Sequence, residues 1–218
     1  VYSPLVIMGL LAIYAIAYGI WHYKKTGNIP PSYDQAFSFM RFILLKILIP
    51  VKLLVQFLWW LLPIFPKIDN KQKKIFLAAC YLHDTFWQAH PDYRSEVCFE
   101  TVTGANLGGI DHSGRIFLAL SLMSRYKKTD LNKIDKKYLL LLNKKKIKQA
   151  IILGACMRLG AMLSVNILEN LRKTKIYTKE KTLYLEMMEK DNLLGDSVEK
   201  RFNHLGNLMN LKSKINLV

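Results

Sequence analysis

A mainly α-helical domain with a small β element near its C-terminal end, preceded by an apolar N-terminal segment, is the architecture this sequence predicts. Three observations carry that prediction. Residues 1–21 contain no charged side chain, whereas Lys and Arg gather after Lys67. From Asn70 onward, apolar residues recur at three- and four-residue spacing between short polar breaks, the period of amphipathic helices. After Lys173 that spacing gives way to alternation, the period of a strand. The 218 residues suit one domain, or a domain with an appendage, and are enough to bury a core.

Composition agrees with two regions. A hydrophobic content of 51% and a formal charge of +16 conflict in one uniform segment, and together they exclude a disordered chain. The apolar stretch 3–21 is long enough to cross a bilayer core of about 30 Å as a helix rising about 1.5 Å per residue. His22, Lys24 and Lys25 behind it form a flank that stays in the cytoplasm. No basic region precedes it, which argues against a signal peptide. A second apolar stretch, 42–65, holds Lys46, Lys52, Pro50 and Pro63. Two charges at mid-depth cost several kcal/mol on insertion scales, and proline interrupts helical bonding. That stretch is expected to lie at an interface or against a partner. GNIPPSYDQ, residues 27–35, separates the two.

In the helical region, residues 75–87 place Phe76, Cys80, His83 and Trp87 on one face. A second run covers 92–103. Asp111 or Ser113 is expected to cap a third through Tyr126, and Asp135 a fourth through Leu142. The longest is 147–171, where Ala150, Gly154 and Gly160 allow close helix approach. Ile176, Tyr177, Leu183, Leu185 and Met187 then read as a hairpin. Asp196 with Glu199 resembles a capping box opening a last helix through about Met209. Cys80, Cys98 and Cys156 are odd in number and set in apolar surroundings, so neither a disulfide framework nor a zinc pattern follows, and a reducing compartment is expected.

Chemistry has few candidate places. His83 and Asp84 are adjacent, and such a pair reaches one divalent ion when other helices add ligands; a core-facing His with an Asp at a helix end is the weightier reading. Residues 86–94, FWQAHPDYR, follow. Residues 104–115, GANLGGIDHSGR, are Gly-rich and lead into a helix, so backbone N–H groups with His112 and Arg115 suit phosphate oxygens. The competing reading is a tight connection whose Asp caps the next helix. There is no Walker loop, dinucleotide fingerprint or Ser/His/Asp arrangement. Of 32 basic residues only seven are Arg, and Lys spread over solvated helix faces explains most of the net charge.

LAACYLHDTFWQAHPDYR (77–94), GIDHSGR (109–115), FLALSLMSRY (117–126) and MRLGAMLS (157–164), in that order, resemble the C-terminal domain of the exopolyphosphatase and guanosine pentaphosphate phosphohydrolase family, most closely its alphaproteobacterial branch. The resemblance runs from about Lys67 to the end of the sequence. It implies an HD-like helical fold, related to the HD phosphohydrolases, flanking the channel by which a polyanion reaches a catalytic site. In that family the hydrolysis belongs to a preceding pair of actin-like domains with phosphate loops, a magnesium site and a water-activating carboxylate. The residues before Lys67 have no room for that pair.

The match also departs from HD hydrolases. These bind metal through an upstream His, the His-Asp pair and a later Asp. Here the upstream His is His22, and residues 158–164 carry no carboxylate. No bound metal and no independent hydrolase activity are therefore expected, and magnesium only with the catalytic domains. Two accounts of the chain stay open. One is an accessory domain or fragment, inactive alone, binding polyphosphate or a guanosine polyphosphate through Arg94, His112, Arg115 and the lysines of 127–148, with a separate chain as the source of the catalytic half. The other is a membrane-anchored interaction module, cytoplasmic, held by residues 5–21. Residues 1–66 are then a frame-disrupted remnant in the first account and an anchor in the second. Nucleic acid is not an expected partner, because the sequence displays no aromatic and basic platform.

Overall fold

The computed structural model describes residues 49–164, 169–188 and 194–217, together with Tyr18, Trp21, Lys24, Lys25 and Gly27. The chain divides into two compact units, Val1–Lys52 and Leu53–Val218. In the first, the candidate span 5–21 lies outside the described residues apart from Tyr18 and Trp21. Among the described residues no helix is long and apolar enough to cross a membrane.

The second unit begins within α1 (Ile49–Leu61). Pro50 occupies the first helical turn, where a missing N–H costs nothing, and Pro63 falls in the 3-10 turn Leu62–Ile64 beyond the helix. The two prolines therefore frame a helix instead of breaking one. Phe57, Trp60, Leu61, Ile64 and Phe65 are buried in the unit's own core, and the Trp60 indole N–H donates to Thr174 Oγ1 at 3.0 Å. The apolar residues 57–65 that precede Lys67 thus pack within the same unit as the helices that follow it.

Asp69 caps α2 (Asn70–Leu82) by accepting from the Gln72 N–H at 2.7 Å. Phe76 and Cys80 are fully buried as the periodicity requires, but the helix stops at Leu82 and the chain turns. Trp87, expected on the same face, is consequently 60% exposed. After α3 (Arg94–Gly104) comes α4 (His112–Tyr126), which Asp111 caps through the Gly114 N–H at 2.7 Å. Every residue from Ile116 to Arg125 is buried, so α4 is the central helix, apolar nearly all round. Its two buried serines satisfy themselves locally, Ser121 donating to Phe117 O at 2.8 Å and Ser124 to Leu120 O at 2.7 Å.

Asp135 caps α5 (Lys136–Leu139), a single turn shorter than the sequence suggests; Leu140 just beyond it is 84% exposed and gains nothing from a longer helix. α6 (Lys144–Leu163) starts ahead of Ile147 because Asn143 caps it, and it stops at Leu163, well short of Leu171. α6 crosses α4 where Gly154 meets Ser121 and Ser124, and a Cβ there would overlap both; at Gly160 a Cβ would overlap the Phe57 ring. A short helix α7 (Glu169–Arg172) leads into β1 (Lys175–Lys179) and β2 (Thr182–Met187), an antiparallel pair.

The expected hairpin is part of a larger element. α8 (Asp196–Met209) forms a crossover that returns the chain as β3 (Lys212–Leu217), parallel to β2, giving strand order β1-β2-β3. The Asp196 capping box is corrected here: Gly195 holds the cap position without a side-chain bond, and Asp196 and Glu199 instead place negative charge in the first turn. Ile176, Leu183, Leu185 and Met187 are buried beneath the sheet as alternation predicts. The mainly helical class with a small C-terminal sheet is thus what the chain adopts.

Two substitutions test this packing. G154A forces Ser121 and Ser124 apart and is expected to cost about 1–3 kcal/mol in denaturant unfolding. Glu180 and Lys181 form the two-residue β1–β2 turn with φ of 48° and 60°, a left-handed pair that suits Asn-Gly. E180N/K181G is therefore expected to stabilise the unit by about 1 kcal/mol in the same measurement.

Candidate functional site

The residues singled out from sequence fall in three separate places. His83 is the C-cap of α2, and its Nδ1 lies 2.7 Å from Cys80 O. A carbonyl only accepts, so Nδ1 carries the proton and the imidazole holds the helix end. Its ring meets the Phe57 ring at 5.2 Å, and burial holds its pKa below the ordinary histidine value. Asp84 faces the buried Arg125, with Oδ1 3.5 Å from Nη2. The pair is committed to closing a helix and offsetting a buried guanidinium. Among the described residues no three His, Cys, Asp or Glu side chains converge as a metal site would need.

Arg94 reaches back across the turn that follows α2. Its Nε and Nη2 donate to Ala89 O at 3.1 and 2.9 Å, its Nη2 to Trp87 O at 2.7 Å, and its guanidinium sits 4.4 Å from the Trp87 ring. It also lies 5.7 Å from the Tyr126 ring, at the far end of α4 from Arg115. Along a helix that separation is about 16 Å, so Arg94 does not join His112 and Arg115. His90 is in the same turn, its Nδ1 accepting from the Asp92 N–H at 3.4 Å.

The Gly-rich loop ends in a helix start that already holds an anion. Asp111 accepts from the Gly114 N–H and from the Ser113 hydroxyl, and its Oδ2 lies 2.6 Å from Lys71 Nζ. The Lys71 ammonium and then the Gly114 N–H push the Asp111 carboxyl down to about 2. His112 is exposed on the first turn and Arg115 is half-buried. The capping reading therefore accounts for this loop. The three cysteines are free and buried, and burial pushes the Cys80 and Cys98 thiols up to about 12, which makes them core residues.

Cations converge elsewhere, in a cavity of about 280 Å³ between the C-terminal end of α4, the middle of α6 and α8. Lys127 and Lys128 come from the segment after α4, Arg158 from α6, and Lys200, Arg201 and His204 from α8. No Asp or Glu lines it, and none of these six groups makes an ion pair among the described residues. Ile151, Ala155 and Leu208 supply its apolar wall.

Electrostatics shows how crowded these charges are. Burial, then Arg201 and Arg125, pull the Arg158 pKa down; burial, then Lys128 and Arg158, do the same to His204; burial lowers Arg201. Arg125, on α4 and outside the cavity lining, is lowered by burial against the opposing pull of Tyr126 and Asp84, with Arg201 adding to the lowering. Among the described residues the Nε atoms of Arg125 and Arg201 find no partner although buried, as is true of Arg115. Guanidinium does not deprotonate in proteins, so these groups stay charged and keep their donors in this crowded setting.

Arg125, Arg158, Lys200, Arg201 and His204 escape a reading by sequence segment, since they come from three helices far apart in the chain. A usable signal was present: where Lys is the default cation, the seven arginines mark positions that suit a fixed fork of donors, and two of them, Arg158 and Arg201, line this cavity.

A family model described as exopolyphosphatase, C-terminal, matches residues 52–218, which spans the whole second unit from its first helix to its last strand. No curated protein matches the chain. The helical order, the His83-Asp84 pair at the end of α2 and this match across most of the sequence agree, and the chain belongs to the exopolyphosphatase C-terminal domain family.

Proposed function

We propose that residues 53–218 act as a polyanion-holding accessory domain of an exopolyphosphatase-type phosphohydrolase, taking polyphosphate or a guanosine polyphosphate in the cavity between α4, α6 and α8. The observation that carries this is six basic side chains around one cavity with no acid among them. A phosphoanhydride chain presents closely spaced negative oxygens, and charge-assisted bonds from Arg are the strong, geometrically specific ones for such groups. Surface lysines on solvated faces would be paired or dispersed; here the Arg201 Nε, on a residue of the cavity wall, is buried with no partner among the described residues.

Hydrolysis is assigned elsewhere. Phosphoryl transfer needs a positioned water and cations on the transferring group, and His83 and Asp84 are taken up by Cys80 O and Arg125. The catalytic pair of actin-like domains implied by the resemblance, in the same protein or on a separate chain, supplies the water-activating carboxylate and the magnesium. The accessory domain alone binds without releasing orthophosphate.

Titration calorimetry with tripolyphosphate and with long-chain polyphosphate tests the assignment. Saturable binding is expected, weakening steeply as salt rises because bound cations are released. R158E/R201E is expected to weaken it roughly a hundredfold, while R115Q leaves it within about twofold. No saturable binding at low ionic strength, or equal loss from R115Q, contradicts the proposal.

A further inference from the structure

From the sheet we infer a second, independent surface: its outward face is built to bind single-stranded nucleic acid by stacking bases on a tyrosine pair within a ring of lysines. Strand register places the residues. Tyr177 stands opposite Tyr184, and Tyr184 opposite Lys214; the rows on either side are Lys175, Glu186, Asn216 and Lys179, Thr182, Lys212. Directly opposed residues share a face of a sheet. The other face is the buried one, carrying Ile176, Leu183, Leu185 and Met187.

The tyrosines are stacked on each other, with ring centroids 5.2 Å apart and planes 14° from parallel. Tyr177 donates its hydroxyl to Glu186 Oε1 at 2.6 Å, which fixes the first ring upright and occupies the one carboxylate in the three rows. Both tyrosines are partly exposed, and among the described residues no third ring is stacked on either. Lys175, Lys179, Lys212 and Lys214 are all exposed around the pair. Aromatic sides for bases with cations for the backbone are the two parts of a single-strand platform, and a face about 10 Å across three strands fits two or three bases.

Charge complementarity selects the occupant. An acidic peptide would answer the lysines but leave the tyrosine stack unused. An anionic membrane would need apolar side chains projecting from this face, and the rows have none beyond the two tyrosine rings. No residue of this face lines the basic cavity, so the surface stands or falls apart from the polyphosphate reading.

Fluorescence anisotropy with a labelled twelve-nucleotide oligouridylate tests it. Wild type is expected to bind the single strand in preference to a duplex of the same length and to phosphatidylserine vesicles. Y177A/Y184A is expected to lose roughly ten- to a hundredfold in affinity, Y177F/Y184F to stay within threefold, and K212E/K214E to weaken binding at least tenfold and flatten its salt dependence. Far-UV circular dichroism and the thermal transition report whether Y177A/Y184A is folded; should it not fold, the Phe pair and the exposed Lys212 and Lys214 decide. No binding by wild type, equal binding by K212E/K214E or by a folded Y177A/Y184A, loss with the Phe pair, or preference for duplex or vesicles each overturns the inference.

Discussion

The close approach of α4 and α6 at Gly154 governs the rest of this domain. With no side chain at that position, α6 lies directly on Ser121 and Ser124 of α4. One turn further along the same face of α6 comes Arg158, and immediately after Ser124 comes Arg125. Contact made for packing thereby brings two guanidinium groups near each other, and α8, packed on α6, adds Lys200, Arg201 and His204. Gathering cations without acids works against folding. The buried apolar residues of α4 and α6, from Ile116 to Leu163, pack the helices together against that repulsion.

The His-Asp pair shows the opposite economy. In this fold the imidazole terminates α2 through Cys80 O and packs on Phe57, while the carboxylate tempers the buried Arg125. Arg125 is then a link between the two regions, since Asp84 balances it on one side and Arg158 feels it on the other. The two adjacent side chains thus hold one helix end and one buried charge.

Much of the architecture was legible in the sequence because it rests on local signals. Asp111 before a run ending at Tyr126, the small residues Gly154 and Gly160, and alternation from Ile176 to Met187 each have a short-range cause and each appears in the structure. What escaped depends on distance along the chain. The 53–65 stretch looks foreign to the soluble part until Trp60 is seen bonded to Thr174, more than a hundred residues on. β3 joins β2 in parallel only through α8, so its place in the sheet has no short-range signal. The tyrosine and lysine rows arise from strand register, and the basic cavity from three helices, neither of which spacing within one segment reveals.

Of the candidate residues, Arg94, His112 and Arg115 were legible as cations but not as a site, since Arg94 is spent on Trp87 O and Ala89 O and the other two sit at the opposite end of α4. The most direct test of the central claim follows the arginine Nε–H resonances by heteronuclear NMR while tripolyphosphate is added. The account predicts saturable shifts of Arg125, Arg158 and Arg201 with Arg94, Arg115 and Arg172 unmoved; shifts confined to Arg94 and Arg115, or none at all, would contradict it.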